Sequence, residues 1–177
     1  MTLTLLSLAG RRDRQLAAAM AAAALVLVLV AIVLTGLLSL APCHLCIFQR
    51  VLYLSLAALF LAAAIGWPLI WLRRAALLLA AGVAIGGMFI AGEQSWLQWF
   101  PETALGCAGG QPGTIELLVE WLGQQSPMLF LATGYCESKE LVVLWLSLAN
   151  WSFIAYAALL CGALVLLFFS RRERQSS

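Results

Sequence analysis

The sequence predicts an all-α membrane protein: a bundle of four transmembrane helices, with one long loop outside the cytoplasm that contains a short interfacial helix. Three observations lead there. The 177-residue chain is 64% hydrophobic and 10% charged, with a mean hydropathy of +1.00. A water-soluble domain carries about 45–50% apolar and about 25% charged residues, and a globule this small has too much surface to hide such an excess. The charges also leave four uncharged runs, from Arg14 to Arg50, Arg50 to Arg73, Arg74 to Glu93 and Glu140 to Arg171. Each is long enough for the roughly 20 helical residues that cross a hydrocarbon layer. Finally, four crossings place every basic residue except Arg50 and Lys139 on one side of the bilayer, which the positive-inside rule makes the cytoplasm. A net charge of +2, scattered along the chain, gives no footprint for nucleic acid.

Residues 1–177 read as a single integral membrane domain. The first span is placed at about 16–37, because Thr35, Gly36, Ser39 and Pro42 end its apolar run. It is longer than the roughly 7–15-residue apolar core of a signal peptide, and Ala41-Pro42-Cys43 is a poor cleavage context, so it reads as a retained helix. Pro42 suits the first position of the second helix, about 43–65, since its missing N–H has no partner there in any case. Gly66-Trp67-Pro68 marks a tight turn into a third span at about 69–91, and the fourth lies at about 150–169. The loop, about 93–145, holds every acidic residue except Asp13 and Glu173. Within it Ile115, Leu117, Leu118, Val119, Trp121 and Leu122 surround Glu116 and Glu120 as in a helix lying at an interface. Trp96, Trp99, Trp121, Trp145 and Trp151 suit a belt at headgroup level.

Four of the five cysteines fall on the outer, oxidising side: Cys43 and Cys46 at the mouth of the second helix, Cys107 and Cys136 in the loop. Cys161 lies within the fourth span and reads as a small apolar side chain. The C-x-x-C spacing favours Cys43 with Cys46, which leaves Cys107 with Cys136; four cysteines still allow three pairings, and spacing does not settle the resting connectivity. A bridge over the loop from Cys107 to Cys136 would contribute about 3–4 kcal/mol, whereas a C-x-x-C bridge closes almost nothing, so redox cycling or metal binding explains that pair better. Cysteines at a helix N-terminus feel the positive end of its dipole, and Arg50 follows Cys46 by one turn. Both effects favour thiolate. A charged residue just inside an apolar span marks a functional site, the alternative being an arginine snorkelling to the interface. His44 between the cysteines raises a metal reading, but adjacent residues on one turn rarely complete a tetrahedral site.

Pro42-Cys43-His44-Leu45-Cys46-Ile47-Phe48-Gln49-Arg50 resembles the P-C-x-x-C-x-x-x-R signature of the DsbB family of bacterial disulfide-bond formation proteins. The resemblance extends to four spans, to the segment from Glu93 to Pro101 that leads to Cys107, and to the segment from Phe130 to Glu137 around Cys136. It implies an inner-membrane thiol:quinone oxidoreductase with periplasmic cysteines and cytoplasmic termini. Such an enzyme reoxidises a soluble periplasmic DsbA-like thioredoxin-fold protein and reduces ubiquinone or menaquinone within the lipid bilayer. On the matching positions, Cys107 takes the partner's attack and Cys136 is released. Cys43 and Cys46 then receive the electrons, with Cys46 facing the quinone and Arg50 polarising a quinone carbonyl. Some members carry Glu-His where this chain has Glu93-Gln94, so Glu93 and Gln94 are the corresponding quinone-binding candidates. Gln94 donates a hydrogen bond but does not become cationic near neutral pH. No metal is implied.

Two other readings stand beside this one. A vitamin K epoxide reductase-like enzyme also joins four helices, C-x-x-C and two loop cysteines to a quinone, but its C-x-x-C comes late in the bundle, whereas here it opens the second helix. A non-catalytic scaffold with a metal-binding C-x-x-C leaves Arg50 and the helix-end position of the pair unexplained.

Overall fold

Apolar chain in lipid must satisfy every backbone N–H and C=O internally, so the uncharged runs have no option but helix. The structure, a computed structural model, describes residues 2–66, 68–100, 113–136 and 141–175. Its elements in order are α1 (Thr2–Leu37), α2 (His44–Ile65), α3 (Ile70–Trp99), α4 (Thr114–Gln125), α5 (Pro127–Phe130), β1 (Val142–Val143), β2 (Leu146–Ser147) and α6 (Leu148–Gln175). Among the described residues, four segments are long and apolar enough to cross a membrane: Arg11–Leu37, His44–Ile65, Ile70–Trp99 and Leu148–Phe169. The chain is a multi-pass four-helix membrane protein.

The packing inverts that of a soluble domain. Lipid tails are as apolar as leucine, so burying large aliphatic side chains between helices yields little, and close backbone approach through small residues takes over. The buried stripes are accordingly Ala17, Ala21 and Ala24 on α1, Ala57, Ala63 and Ala64 on α2, and Ala76, Ala80, Ala84 and Ala91 on α3. Large side chains such as Leu29, Leu61, Leu78, Phe89 and Phe168 face outward. α1 lies against α2, α2 against α3 and α3 against α6, while α1 and α6 touch over a much smaller area, so the ring closes loosely between them. Among the described residues Tyr156 is the largest that is fully enclosed: its ring stacks on Tyr53 with centroids 4.3 Å apart and planes 2° from parallel, seated over Gly87.

α1 and α6 run beyond the expected spans, from Thr2 and to Gln175, since a helix need not end where the apolar run does. Three further boundaries differ from the sequence-based expectation, each for a physical reason. α3 does not stop at Ala91 but continues through Glu93 and Gln94 to Trp99. The first charge ends an uncharged run, yet Glu, Gln, Leu and Trp sustain a helix and no breaker arrives before Pro101. Pro42 is not the first residue of α2. Cys43 intervenes as the N-cap in extended conformation, φ −81 and ψ 170, with its sulfur accepting the Cys46 N–H. α6 begins at Leu148, preceded by an antiparallel hairpin pairing Val142 with Ser147 and Val143 with Leu146. Its turn residues Leu144 and Trp145 have φ of 52° and 70°. Such a turn matches strand twist but is normally built from Asn or Gly, so the sequence carries no signal for it.

An added Cβ at Gly87 would overlap the Tyr156 ring, while one at Gly82 meets nothing within 4 Å. Gly87→Ala is therefore expected to lower the thermal unfolding temperature in detergent, at a cost of about 1–3 kcal/mol. Gly82→Ala should leave it unchanged or raise it slightly.

Candidate active site

The site starts from the cap of α2. Because Cys43 is the N-cap and Cys46 lies in the first turn, their sulfurs come to 3.1 Å from each other, with the Cys43 thiol donating to Cys46. The extension of α3 beyond Ala91 carries Gln94 to the same point. Its Nε2 donates to the Cys46 sulfur at 2.9 Å and lies 3.6 Å from that of Cys43. Which end of the Gln94 amide faces the sulfurs follows from its other neighbour, since Gln49 Nε2 donates to Gln94 Oε1 at 2.7 Å. Gln49 and Gln94 are buried, and the Tyr156 hydroxyl from α6 donates to the Gln49 main-chain carbonyl at 3.0 Å. Cys46 thus accepts from a thiol and an amide, one turn from a guanidinium, and this is the environment of a sulfur that carries negative charge.

Arg50 is only 6% exposed and bonds its guanidinium to two other elements. One nitrogen donates to Thr35 Oγ1 of α1 at 2.6 Å and the other to the Leu129 carbonyl of α5 at 3.0 Å. Thr35 passes the bond on to the Ala31 carbonyl at 2.7 Å. The snorkelling alternative does not apply: the side chain is buried and engaged.

The chain after α5 returns to the cysteines. Thr133 and Gly134 both donate their backbone N–H to the Pro42 carbonyl, at 2.9 and 3.1 Å. Gly134 packs so tightly on the Ala41 carbonyl that a Cβ would overlap it. This docking lays Cys136 against Cys43. The Cys43 thiol is held well above its usual pKa, first by its hydrogen bond with Cys136, then by that with Cys46, then by burial. Cys43, Cys46 and Cys136 therefore form one cluster, with Cys43 in the middle. Cys107, its flanking glycines and Trp67 lie outside the described residues. Cys161 is exposed on the α6 surface, away from the cluster.

The loose α1–α6 seam leaves a cavity of about 520 Å³ below these sulfurs, within the roughly 300–1,000 Å³ of small-molecule sites. Cys43, Cys46, Gln49, Arg50, Gln94 and Gln98 line one part of it. Leu27, Val30 and Leu34 of α1 and Ile154 and Ala158 of α6 line the rest. A flat, partly polar ring with an aliphatic tail fits such a chamber. Of the two α3 candidates, Gln94 is at the wall, whereas Glu93 is exposed and is not among the lining residues.

Sequence reasoning missed Gln49, Gln98, Thr35 and Tyr156. A signal was present for the first two. Gln94 and Gln98 stand one turn apart and Gln49 adjoins Arg50, all within spans where polar side chains are costly; counting formal charges passes over uncharged amides.

A four-helix membrane bundle with a thiol cluster at one end, set against an apolar cavity, defines a membrane protein built for cysteine redox chemistry. Comparison with known proteins narrows the class. The family described as Disulfide bond formation protein DsbB matches residues 13–166, and the chain belongs to that family. A Disulfide bond formation protein B of Dechloromonas aromatica (strain RCB) is 43% identical over 143 residues, covering 81% of this chain and 84% of the relative. That of Verminephrobacter eiseniae (strain EF01-2) is 35% identical over 168 residues, covering 93% and 90%. That of Methylococcus capsulatus is 37% identical over 136 residues, covering 76% and 80%. Membership supports a role in disulfide bond formation as a disulfide oxidoreductase.

Gly134→Val is expected to lift the Cys136 segment off Ala41 and Pro42. Mild oxidation of the reduced protein, with bridges mapped by peptide mass spectrometry, should then yield several-fold less Cys43–Cys136 disulfide than the parent.

Proposed function

We propose that the chain is a bacterial inner-membrane thiol:quinone oxidoreductase, with cytoplasmic termini and periplasmic cysteines, that reoxidises a DsbA-like thioredoxin-fold dithiol oxidase. The observation that carries this reading is the contact of Cys136 with Cys43, of Cys43 with Cys46, and of Cys46 with a cavity of quinone size. Arg50, Gln94 and Gln98 are the polar groups that would hold a quinone ring, and the α1 and α6 side chains would hold its tail. Glu93 is exposed outside that wall and is left out of the set. When bound, ubiquinone or menaquinone supplies an acceptor for two electrons and two protons.

The protein's own steps are thiol–disulfide exchanges. A thiolate of the partner attacks Cys107 of a Cys107–Cys136 bridge, so that a mixed disulfide forms and Cys136 leaves as thiolate. Cys136 attacks the Cys43 sulfur of a Cys43–Cys46 bridge, and Cys46 leaves in turn. The second thiolate of the partner then displaces Cys107, and the partner departs oxidised. Return of Cys107 to Cys136 displaces Cys43, which leaves the inner pair reduced and the loop bridge restored. Gln94 and Arg50 stabilise the negative charge that arrives on Cys46. The cap geometry suits these roles, since the high pKa of Cys43 makes it a protonated neighbour and not a competing nucleophile.

The family assignment leaves the vitamin K epoxide reductase-like and scaffold readings without support. The test is quinone absorbance over time, with purified protein in detergent and a reduced thioredoxin-fold dithiol oxidase as donor. Cys46→Ser should abolish the rate. Cys107→Ser should abolish reoxidation of the partner yet leave the inner pair reactive with quinone. Arg50→Ala should spare the mixed disulfide but slow quinone reduction about 10–100-fold, the loss of a charge-assisted contact of about 1.5–3 kcal/mol. Parent-rate reoxidation by both Cys107→Ser and Arg50→Ala would contradict the relay.

A further inference from the structure

The proposed chemistry needs Cys46 as the sulfur that gives up electrons, and on that reading the side chain behind its amide donor acquires a role. An unconstrained Gln94 has two faces to offer. Its NH2 group stabilises a thiolate, whereas its carbonyl, half a turn of the last torsion away, repels a thiolate and accepts from a thiol. The two orientations have nearly the same shape, so packing alone does not choose between them. The choice is made by Gln49, whose Nε2 donates to Gln94 Oε1 at 2.7 Å and holds the carbonyl away from the sulfurs. Both amides are buried, 4% and 3% exposed. The α2 backbone that carries Gln49 is itself held in place: the Tyr156 hydroxyl donates to the Gln49 main-chain carbonyl at 3.0 Å, and the Tyr156 ring is enclosed between Tyr53 and Gly87.

We infer that Gln49 is a positioning residue for the redox pair, fixing the Gln94 amide so that its N–H and not its carbonyl meets Cys46. Gln49 makes no hydrogen bond to either sulfur; it acts through Gln94, whose Nε2 donates to Cys46. A side chain one step removed from the thiols thereby sets how readily Cys46 holds negative charge.

The pH profile of Cys46 alkylation tests this in the full-length protein, reduced in detergent, with iodoacetamide as probe and each cysteine followed by peptide mass spectrometry. Gln49→Leu should move the Cys46 midpoint up by about one pH unit, a tenfold loss of rate at pH below it, while the remote Cys161 profile stays in place. Gln94→Leu should move it at least as far, and adding Gln49→Leu to that variant should produce no further movement. An unmoved midpoint in Gln49→Leu, or additive movement in the double variant, would overturn the inference. If Gln49→Leu does not fold, Gln49→Met, uncharged and of similar length, removes the donor to Gln94 without adding a charge beside Cys46. It should raise the midpoint in the presence of Gln94 and not in its absence, and a rise without Gln94 would equally overturn the inference. The readout involves neither quinone nor partner, so failure of the oxidoreductase reading would show separately, as absent quinone reduction by the parent protein.

Discussion

A guanidinium placed inside an apolar span costs several kcal/mol unless its donors are met, and the outer half of this molecule is organised around meeting those of Arg50. Its guanidinium donates to Thr35 at the end of α1 and to the Leu129 carbonyl of α5. They therefore tie the first helix and the returning loop to the helix that carries the C-x-x-C pair. With α5 fixed there, the next residues run directly over Pro42, whose carbonyl takes two backbone N–H groups. Cys136 then has one place to go, against Cys43. The charge that marks the site electrostatically also holds its covering segment.

Close packing through alanine makes the bundle narrow where α2 meets α3 and α3 meets α6, and leaves the α1–α6 seam as the place where space remains. In lipid such a seam is accessible to hydrophobic molecules and closed to ions. Its polar part includes three uncharged amides, Gln49, Gln94 and Gln98, with Arg50 as its one formal charge. Amides supply directional donors without the desolvation cost of further charges, so the arrangement can favour one thiolate while remaining stable in hydrocarbon. In the proposed relay, electrons enter at the loop, pass inward through Cys43 and leave from Cys46.

The four spans were legible because hydropathy and charge placement act over whole segments: the runs bounded by Arg14, Arg50, Arg73, Arg74, Glu93, Glu140 and Arg171 mark the apolar part of each helix, but not where α1 begins at Thr2 or α3 ends at Trp99. The pair at the mouth of α2 and the importance of Arg50 were legible from spacing and from the rarity of arginine in apolar surroundings. The contact of Cys136 with Cys43 was not, because it depends on backbone hydrogen bonds to Pro42 and on a glycine at position 134, and neither leaves a periodic trace. Gln49 escaped for another reason: its function lies in which way a neighbouring amide is turned, a property of three dimensions and not of composition. The hairpin before α6 gave no warning either, since Leu144 and Trp145 are unusual residues for positive φ.

The account rests on the α1–α6 cavity being where the thiols meet a membrane quinone, and photolabelling tests that most directly. An azidoquinone irradiated with the purified protein, followed by peptide mapping, should attach to the α1 segment around Leu27–Thr35 and the α6 segment around Leu148–Ala158, and excess unmodified quinone should suppress it. Label on the outward face of α3, or label that excess quinone does not suppress, would contradict the account.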